Sequence, residues 1–168
     1  MELWDVYDRY RVKTGRTMVR GEQIQSGDYH LVVHICLFNS EGKMLIQQRQ
    51  PFKEGWPDRW DVTTGGSALA GESPEQAAER ELFEELGIRH DFSGIRPLMT
   101  MNFPGGFDDV FLIQRDIDLN TLILQTEEVQ AARFADCEEI CRMIAEGSFV
   151  PYQEHFIRLC FERRGQPT

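Results

Sequence analysis

Glu81, Glu84 and Glu85 fall within an arc of roughly 100° on one face if they share an α-helix, because each helical residue advances by about 100°. Carboxylates grouped in this way are hard oxygen ligands that suit a divalent cation. The competing reading is a solvated acidic face. Against it stands the position of the cluster near the helix C-terminus, where negative charge meets the negative end of the macrodipole and like charges on adjacent turns repel. A bound divalent cation would relieve both.

The helix that must carry these groups is marked at both ends. Ser73, Pro74 and Gln76 supply an N-cap, a proline at the first helical position and the partner for a capping box, and Gly87 supplies a stop after Leu86. Ala78, Leu82 and Leu86 recur four residues apart and form the seam that presses the helix onto a sheet. Upstream, HLVVHICLF over 30–38 reads as a largely apolar strand, and Asn39-Ser40-Glu41-Gly42 turns it into a second strand over 43–49. A polar loop with two prolines and a glycine follows over 50–58, then a brief pairing segment over 60–63 before Gly65-Gly66. At the amino terminus, residues 3–19 suggest a β-hairpin turning at Lys13-Thr14-Gly15-Arg16, with a connector bracketed by Gly21 and Gly27. Beyond the helix, strands are expected over 97–103 and 109–114, joined at Pro104-Gly105-Gly106, and helices over 136–146 and 152–163. Strands and helices mingle without regular βαβ alternation, so the expected class is α/β, a sandwich with a mixed β-sheet. Residues 1–168 read as a single domain, with 1–28 as an amino-terminal hairpin and connector.

A chain of 168 residues can bury about 70% of the surface that its unfolded form exposes, enough for a core without disulfides. Its net charge of -10 argues against a nucleic-acid partner, since such binding rests on Lys and Arg neutralising phosphates. An anionic substrate would then need local cations or bound metal. Cys36, Cys137, Cys141 and Cys160 form no C-x-x-C pair, which suits reduced thiols in a cytoplasmic protein. The opening Met1-Glu2-Leu3-Trp4-Asp5 has no apolar signal run, and no stretch approaches the ~20 apolar residues of a membrane span.

Residues 66–88 read GSALAGESPEQAAERELFEELGI. This segment resembles the Nudix box, G-x5-E-x7-R-E-U-x-E-E-x-G-U with U a bulky aliphatic, at Gly66, Glu72, Arg80, Glu81, Leu82, Glu84, Glu85, Gly87 and Ile88. The resemblance implies a Nudix-type α/β/α sandwich with a catalytic loop-helix. It also implies Mg²⁺-dependent hydrolysis of a pyrophosphate bond in a nucleoside diphosphate linked to another moiety, by attack of water on phosphorus. Carried over by position, Glu81, Glu84 and Glu85 bind Mg²⁺ or Mn²⁺, Gly66 offers its carbonyl, and Glu81 activates water. Arg80 pairs with Glu72 to hold the loop on the helix, and Gly87 ends it. The resemblance further implies a metal-binding carboxylate from outside the box, for which Glu128, beside Glu127, is the candidate; its alternative is a capping or solvated glutamate. Arg49, Lys53 and Arg59 are candidates for substrate phosphates, or else surface cations. Trp60 and Phe107 would stack on a base or fill the core. A homodimer is expected from the family and from the apolar content of the amino-terminal region.

Two rival functions share this fold. The stretch GEQIQSGDYHLVVHICLFNSEGKMLIQQR leading to WPDRWDVTTGG is also similar to isopentenyl diphosphate isomerase. That reaction needs an acid and a base on opposite sides of its substrate. At the positions of the isomerase's catalytic cysteine and a metal-binding histidine, this chain has Gly65 and Ser67, and its downstream acidic pair falls near Pro104 and Gly106. Of the other isomerase histidines only His30 has a counterpart, and it reads as a strand residue. The second rival is a catalytically inactive Nudix ligand-binding regulator, which the complete acidic set disfavours.

Overall fold

In the computed structural model, which describes residues 1–166, the chain forms two sheets and three α-helices. Strands β1 (Leu3–Tyr7) and β2 (Lys13–Val19) make an antiparallel ribbon. The main sheet is mixed and contains β3 (His30–Phe38), β4 (Met44–Arg49), β5 (Trp60–Asp61), β6 (Thr64–Ser67), β7 (Met99–Phe103), β8 (Gly106–Gln114) and β9 (Val129–Ala135). Helices α1 (Pro74–Leu86), α2 (Cys137–Glu146) and α3 (Glu154–Arg163) complete it.

β3 organises the molecule because both of its faces are covered, the condition under which a strand reads as a continuous apolar run. Leu31, Val33, Ile35 and Leu37 enter one core with Leu82 and Leu86 of α1, while Cys36 and Phe38 enter a second core with Ile140 of α2 and Ile157 and Phe161 of α3. This is an α/β/α sandwich. β8 runs parallel to β3 from His30↔Gly106 to Phe38↔Gln114, and the other pairings are antiparallel. On its other edge β3 touches β4 only at Phe38↔Met44 and pairs with β6 over Val32 to Ile35. The sheet therefore forks: β4 leaves with β9 and β5, and β6 stays on β3.

α1 has the ends that its sequence dictates. Ser73 accepts from the Gln76 amide, Gln76 caps the Ser73 amide in return, and Gly87 takes the left-handed conformation at φ 72°. Leu82 and Leu86 are fully buried, each contributing roughly 1.5–3 kcal/mol of transfer free energy.

One local expectation needs correction. The hairpin turns at residues 8–12 rather than at Gly15, because the Asp8 carboxylate accepts from the amides of Tyr10 and Val12 and Arg11 adopts φ 64°. Thr14-Gly15-Arg16 instead forms an irregularity within β2, between the pairs Asp5↔Thr17 and Tyr7↔Lys13. Two strands lie where the sequence suggested none: β9, whose mixed sequence VQAARFA lacks clean alternation, pairs with the whole length of β4, and Gly65-Gly66 lies within β6, paired with β3. Among the described residues no helix is long and apolar enough to cross a membrane.

Candidate active site

The loop before α1 is tied to the helix by Arg80. Its Nε donates to Glu72 Oε1 at 2.7 Å and its Nη2 to Glu72 Oε2 at 3.0 Å, a bidentate pair of the kind a guanidinium favours. Nη2 also reaches the Ser67 carbonyl at 3.0 Å, and Nη1 bridges Glu81 at 2.8 Å and Glu84 at 3.1 Å. Glu72 takes the Leu69 amide as well. Burial alone would lower the ionisation of Arg80, but Glu72 and Glu81 outweigh it and hold the charge more firmly than usual.

Glu85 lies deepest. Gln47 donates to its Oε2 at 2.6 Å, and the Thr64 hydroxyl donates to the same oxygen. Burial, augmented by the charges of Glu81 and Glu128, pushes its pKa up to about 8 despite these donors. Burial also raises Glu81, against the pull of Arg80. Gly66 faces the same point: a side chain there would collide with the Glu81 carboxylate, so only glycine lets β6 approach the helix this closely.

These groups line a cavity of about 170 Å³ at the mouth of the forked sheet. Glu81, Glu84 and Glu85 form its helical wall, Gly65, Gly66 and Ser67 its β6 wall, and Arg49 closes the end of β4. Glu128 lines the cavity, in an ion pair with Lys53. Arg49 is held by the Gly55 carbonyl at 2.9 Å and Asp61 at 3.5 Å. Gln125 N–H donates to the Glu85 carbonyl at 3.0 Å, and this contact seats the segment that bears Glu128 on the end of α1.

Arg59 and Trp60 lie elsewhere. Arg59 donates to the Phe149 carbonyl and stacks on Trp56, and Trp60 packs against the second core with Arg133 over its ring. Phe107 is buried beside Tyr7 and Tyr29, and His30 stacks on Trp4. Sequence reading singled out neither Leu69 and Gln125 nor, at the amino-terminal ribbon, Glu2 and Arg20. Nothing in the local sequence of the last two marks them, since their place depends on a ribbon docked on the distant box loop.

The donor set fits a hard divalent cation: carboxylates of Glu81, Glu84, Glu85 and Glu128 share one cavity with the backbone of Gly66. Among the described residues, however, no three His, Cys, Asp or Glu groups converge as a ready cage. Glu81 and Glu84 turn to Arg80, and Glu128 to Lys53. Binding a metal here means exchanging those partners, for which the raised pKa values of buried Glu81 and Glu85 supply a motive.

Across β6 lies a second polar group. His34 Nδ1 bonds Asp108 at 2.8 Å, and Tyr152 donates to Asp61 at 2.7 Å. The His34 ring fills the space that a Cβ on Gly65 would need, with Nε2 2.8 Å from that point. Burial would lower the His34 pKa, but Asp108 outweighs it and raises it.

A forked mixed sheet between helical layers, with a carboxylate-bearing loop-helix at its open end, defines an α/β/α sandwich with an acidic polar cavity. The family model described as NUDIX domain matches residues 28–160, and the chain belongs to the Nudix hydrolase family. It is 50% identical over all of its length to a Nudix hydrolase of Listeria monocytogenes, covering 98% of that protein. An isopentenyl-diphosphate Delta-isomerase of Streptomyces coelicolor is 35% identical, but over only 51% of this chain and 44% of its own. Among solved structures, DR0079 of Deinococcus radiodurans superposes with a TM-score of 0.77 at 25% identity, covering 95% of this chain and 99% of that one. The NUDIX domain of Shewanella oneidensis NrtR, complexed with ADP ribose, superposes at 0.63 with 19% identity over 80% of this chain and 88% of that one, a likeness of fold.

Proposed function

We propose that this chain is a Mg²⁺-dependent, cytoplasmic pyrophosphohydrolase acting on a small molecule in which a nucleoside diphosphate is linked to another moiety. The observation that carries the reading is the single cavity shared by Glu81, Glu84, Glu85 and Glu128 with the cations Arg49 and Lys53. Glu81, Glu84, Glu85 and Glu128, with the Gly66 carbonyl, would hold the ion; Mn²⁺ suits the same donors. When bound, it supplies a water of lowered pKa and neutralises phosphate oxygens. Glu81 takes the proton from the attacking water; burial raises its pKa above the usual carboxylate range, which makes it a stronger base than an exposed glutamate. Arg80 keeps the box loop and the Glu81 carboxylate in register, and Arg49 and Lys53 meet the phosphate oxygens. Apart from Leu69, the lining is polar or glycine, which favours a phosphoryl chain over a base or prenyl group in this cavity.

The partial similarity to an isomerase does not extend to acid–base equipment. Gly65 has no side chain, and His34 occupies the room that one would take. The decisive experiment is a hydrolysis screen with Mg²⁺ over nucleoside triphosphates, nucleotide sugars, dinucleoside polyphosphates, NADH and ADP-ribose, the last also the ligand of a fold neighbour. Hydrolysis of at least one, abolished by EDTA and by Glu81→Gln, is expected. Turnover that persists in EDTA would refute the reading.

A further inference from the structure

The cavity presents four cations, and three of them, Arg49, Lys53 and Arg80, are largely sheltered from solvent. Arg80 is spent on Glu72, Glu81, Glu84 and the Ser67 carbonyl. Arg49 is held by Gly55 and Asp61, and Lys53 by Glu128. Arg20 differs. Among the described residues its one side-chain partner is Glu2 at 2.7 Å, and both side chains are about half exposed, 56% and 48%. A pair so exposed is worth little in water, so its guanidinium can change partner at small cost.

The base from which Arg20 reaches is nonetheless firm. Its amide donates to the Glu2 carbonyl at 3.0 Å. The ribbon in turn is clipped to the box loop by Ala70 N–H on the Leu3 carbonyl at 2.7 Å, Gly71 N–H on Asp5 at 2.8 Å and Lys13 on the Glu72 carbonyl at 3.0 Å. A flexible cationic head on a fixed ribbon thus overhangs the glutamates of α1, close enough that Glu2 first, then Glu128 and Glu81, strengthen its ionisation.

We infer that Arg20 is a substrate-binding residue: it leaves Glu2 to bind the phosphoryl group next to the one attacked. This rests on the hydrolase reading. Arg matches phosphate oxygens bidentately, and Glu2 acts as its place-holder, repelling phosphate once Arg20 is gone. The signature is a pair of opposite effects. Arg20→Ala should raise KM for the substrate found in the screen about tenfold or more, the loss expected of one charge-assisted contact. Glu2→Gln, which frees the guanidinium, should lower KM. An ion pair serving only to hold the ribbon would make both substitutions act in the same direction, through lost stability.

The test measures KM for wild type, Arg20→Ala, Arg20→Lys and Glu2→Gln, with thermal melts beside them. It also measures inhibition by imidodiphosphate, a non-hydrolysable pair of phosphoryl groups, against orthophosphate, which has one. Weaker inhibition of Arg20→Ala by imidodiphosphate alone, partial recovery in Arg20→Lys and a lowered KM in Glu2→Gln support the assignment. Unchanged KM and imidodiphosphate inhibition in Arg20→Ala, or a raised KM in Glu2→Gln, would overturn it while leaving the hydrolase reading intact. A wild-type protein that turns over no substrate would instead sink the hydrolase reading.

Discussion

Glu85→Gln isolates the cost of keeping a carboxyl group beneath the cavity. The pKa of Glu85 stands at about 8 in the fold against an ordinary 4.5. That difference of about 3.5 units, at about 1.4 kcal/mol each, makes ionisation of Glu85 in the fold cost roughly 5 kcal/mol, an order-of-magnitude figure. The group is 7% exposed, so solvent does little to reduce it. The unfolded chain loses this proton near 4.5 and the folded protein near 8. Between those values the folded state binds more protons, so the contribution is fully present below 4.5 and is lost as pH rises through 8.

Melts in EDTA read this directly. From pH 5.5 to 8, wild type should lose about 3 kcal/mol through Glu85, which for a domain of this size is a fall of roughly 6 to 12 °C in Tm. Glutamine keeps the volume and an oxygen to accept from Thr64 and Gln47, yet cannot ionise. The variant should therefore lack this component of the slope and be the more stable protein at pH 8, and groups common to both cancel in the comparison. Saturating Mg²⁺ should shrink the wild-type slope, because it favours the carboxylate, and at pH 6.5 close to one proton should be released per ion bound. Superimposable pH profiles for wild type and Glu85→Gln would refute the reasoning, since Glu85 would then be ionised in the fold at neutrality. The same titration of Glu85 should leave its mark on the acid limb of hydrolysis and favour mildly alkaline pH.

Two further substitutions divide stability from activity. Glu84→Gln should change stability in EDTA by no more than about 0.5 kcal/mol, because the side chain is half exposed and its Arg80 contact is a surface one; hydrolysis should fall by about 100-fold or more if Glu84 is a metal ligand. Full activity would remove it from that set. Gly66→Ala should displace the Glu81 carboxylate, cutting hydrolysis by about 100-fold or more while the circular dichroism spectrum stays native; a fully active protein would show that the collision is absorbed elsewhere.

Local signals made α1 and β3 legible. Ser73, Pro74 and Gln76 act within one helical turn of each other, and the run from His30 to Phe38 is buried on both faces, so the forces that place these elements lie in adjacent residues. What escaped was set at a distance. β9 owes its existence to the free edge of β4; the hairpin turn is the exception, set locally by the Asp8 carboxylate on the Tyr10 and Val12 amides, which competed successfully with Gly15 for the reversal. Arg59 and Trp60 are close in sequence to Arg49, yet the β4–β5 connection turns them toward Phe149 and Arg133. Arg20 and Glu2 enter the cavity only because the ribbon docks on a loop some sixty residues away in the chain.

The acidic face also behaves differently from the isolated helix that sequence alone describes. Spacing predicts repulsion among Glu81, Glu84 and Glu85, to be relieved by a cation. In the fold, Arg80 already bridges Glu81 and Glu84 from within the same helix, and Lys53 holds Glu128. The electrostatic cost is thereby concentrated on Glu85, which no cation touches and which hydroxyl and amide donors alone support. A divalent ion entering the cavity would act most strongly on that one buried carboxyl, while Arg80 and Lys53 gave up acidic partners to make room. Affinity for the ion is then a difference between the gain at Glu85 and the loss at two ion pairs. It should rise with pH as Glu85 ionises more readily, and it should rise further with a phosphate-bearing ligand present, because that ligand gives the displaced Lys53 ammonium a new anion.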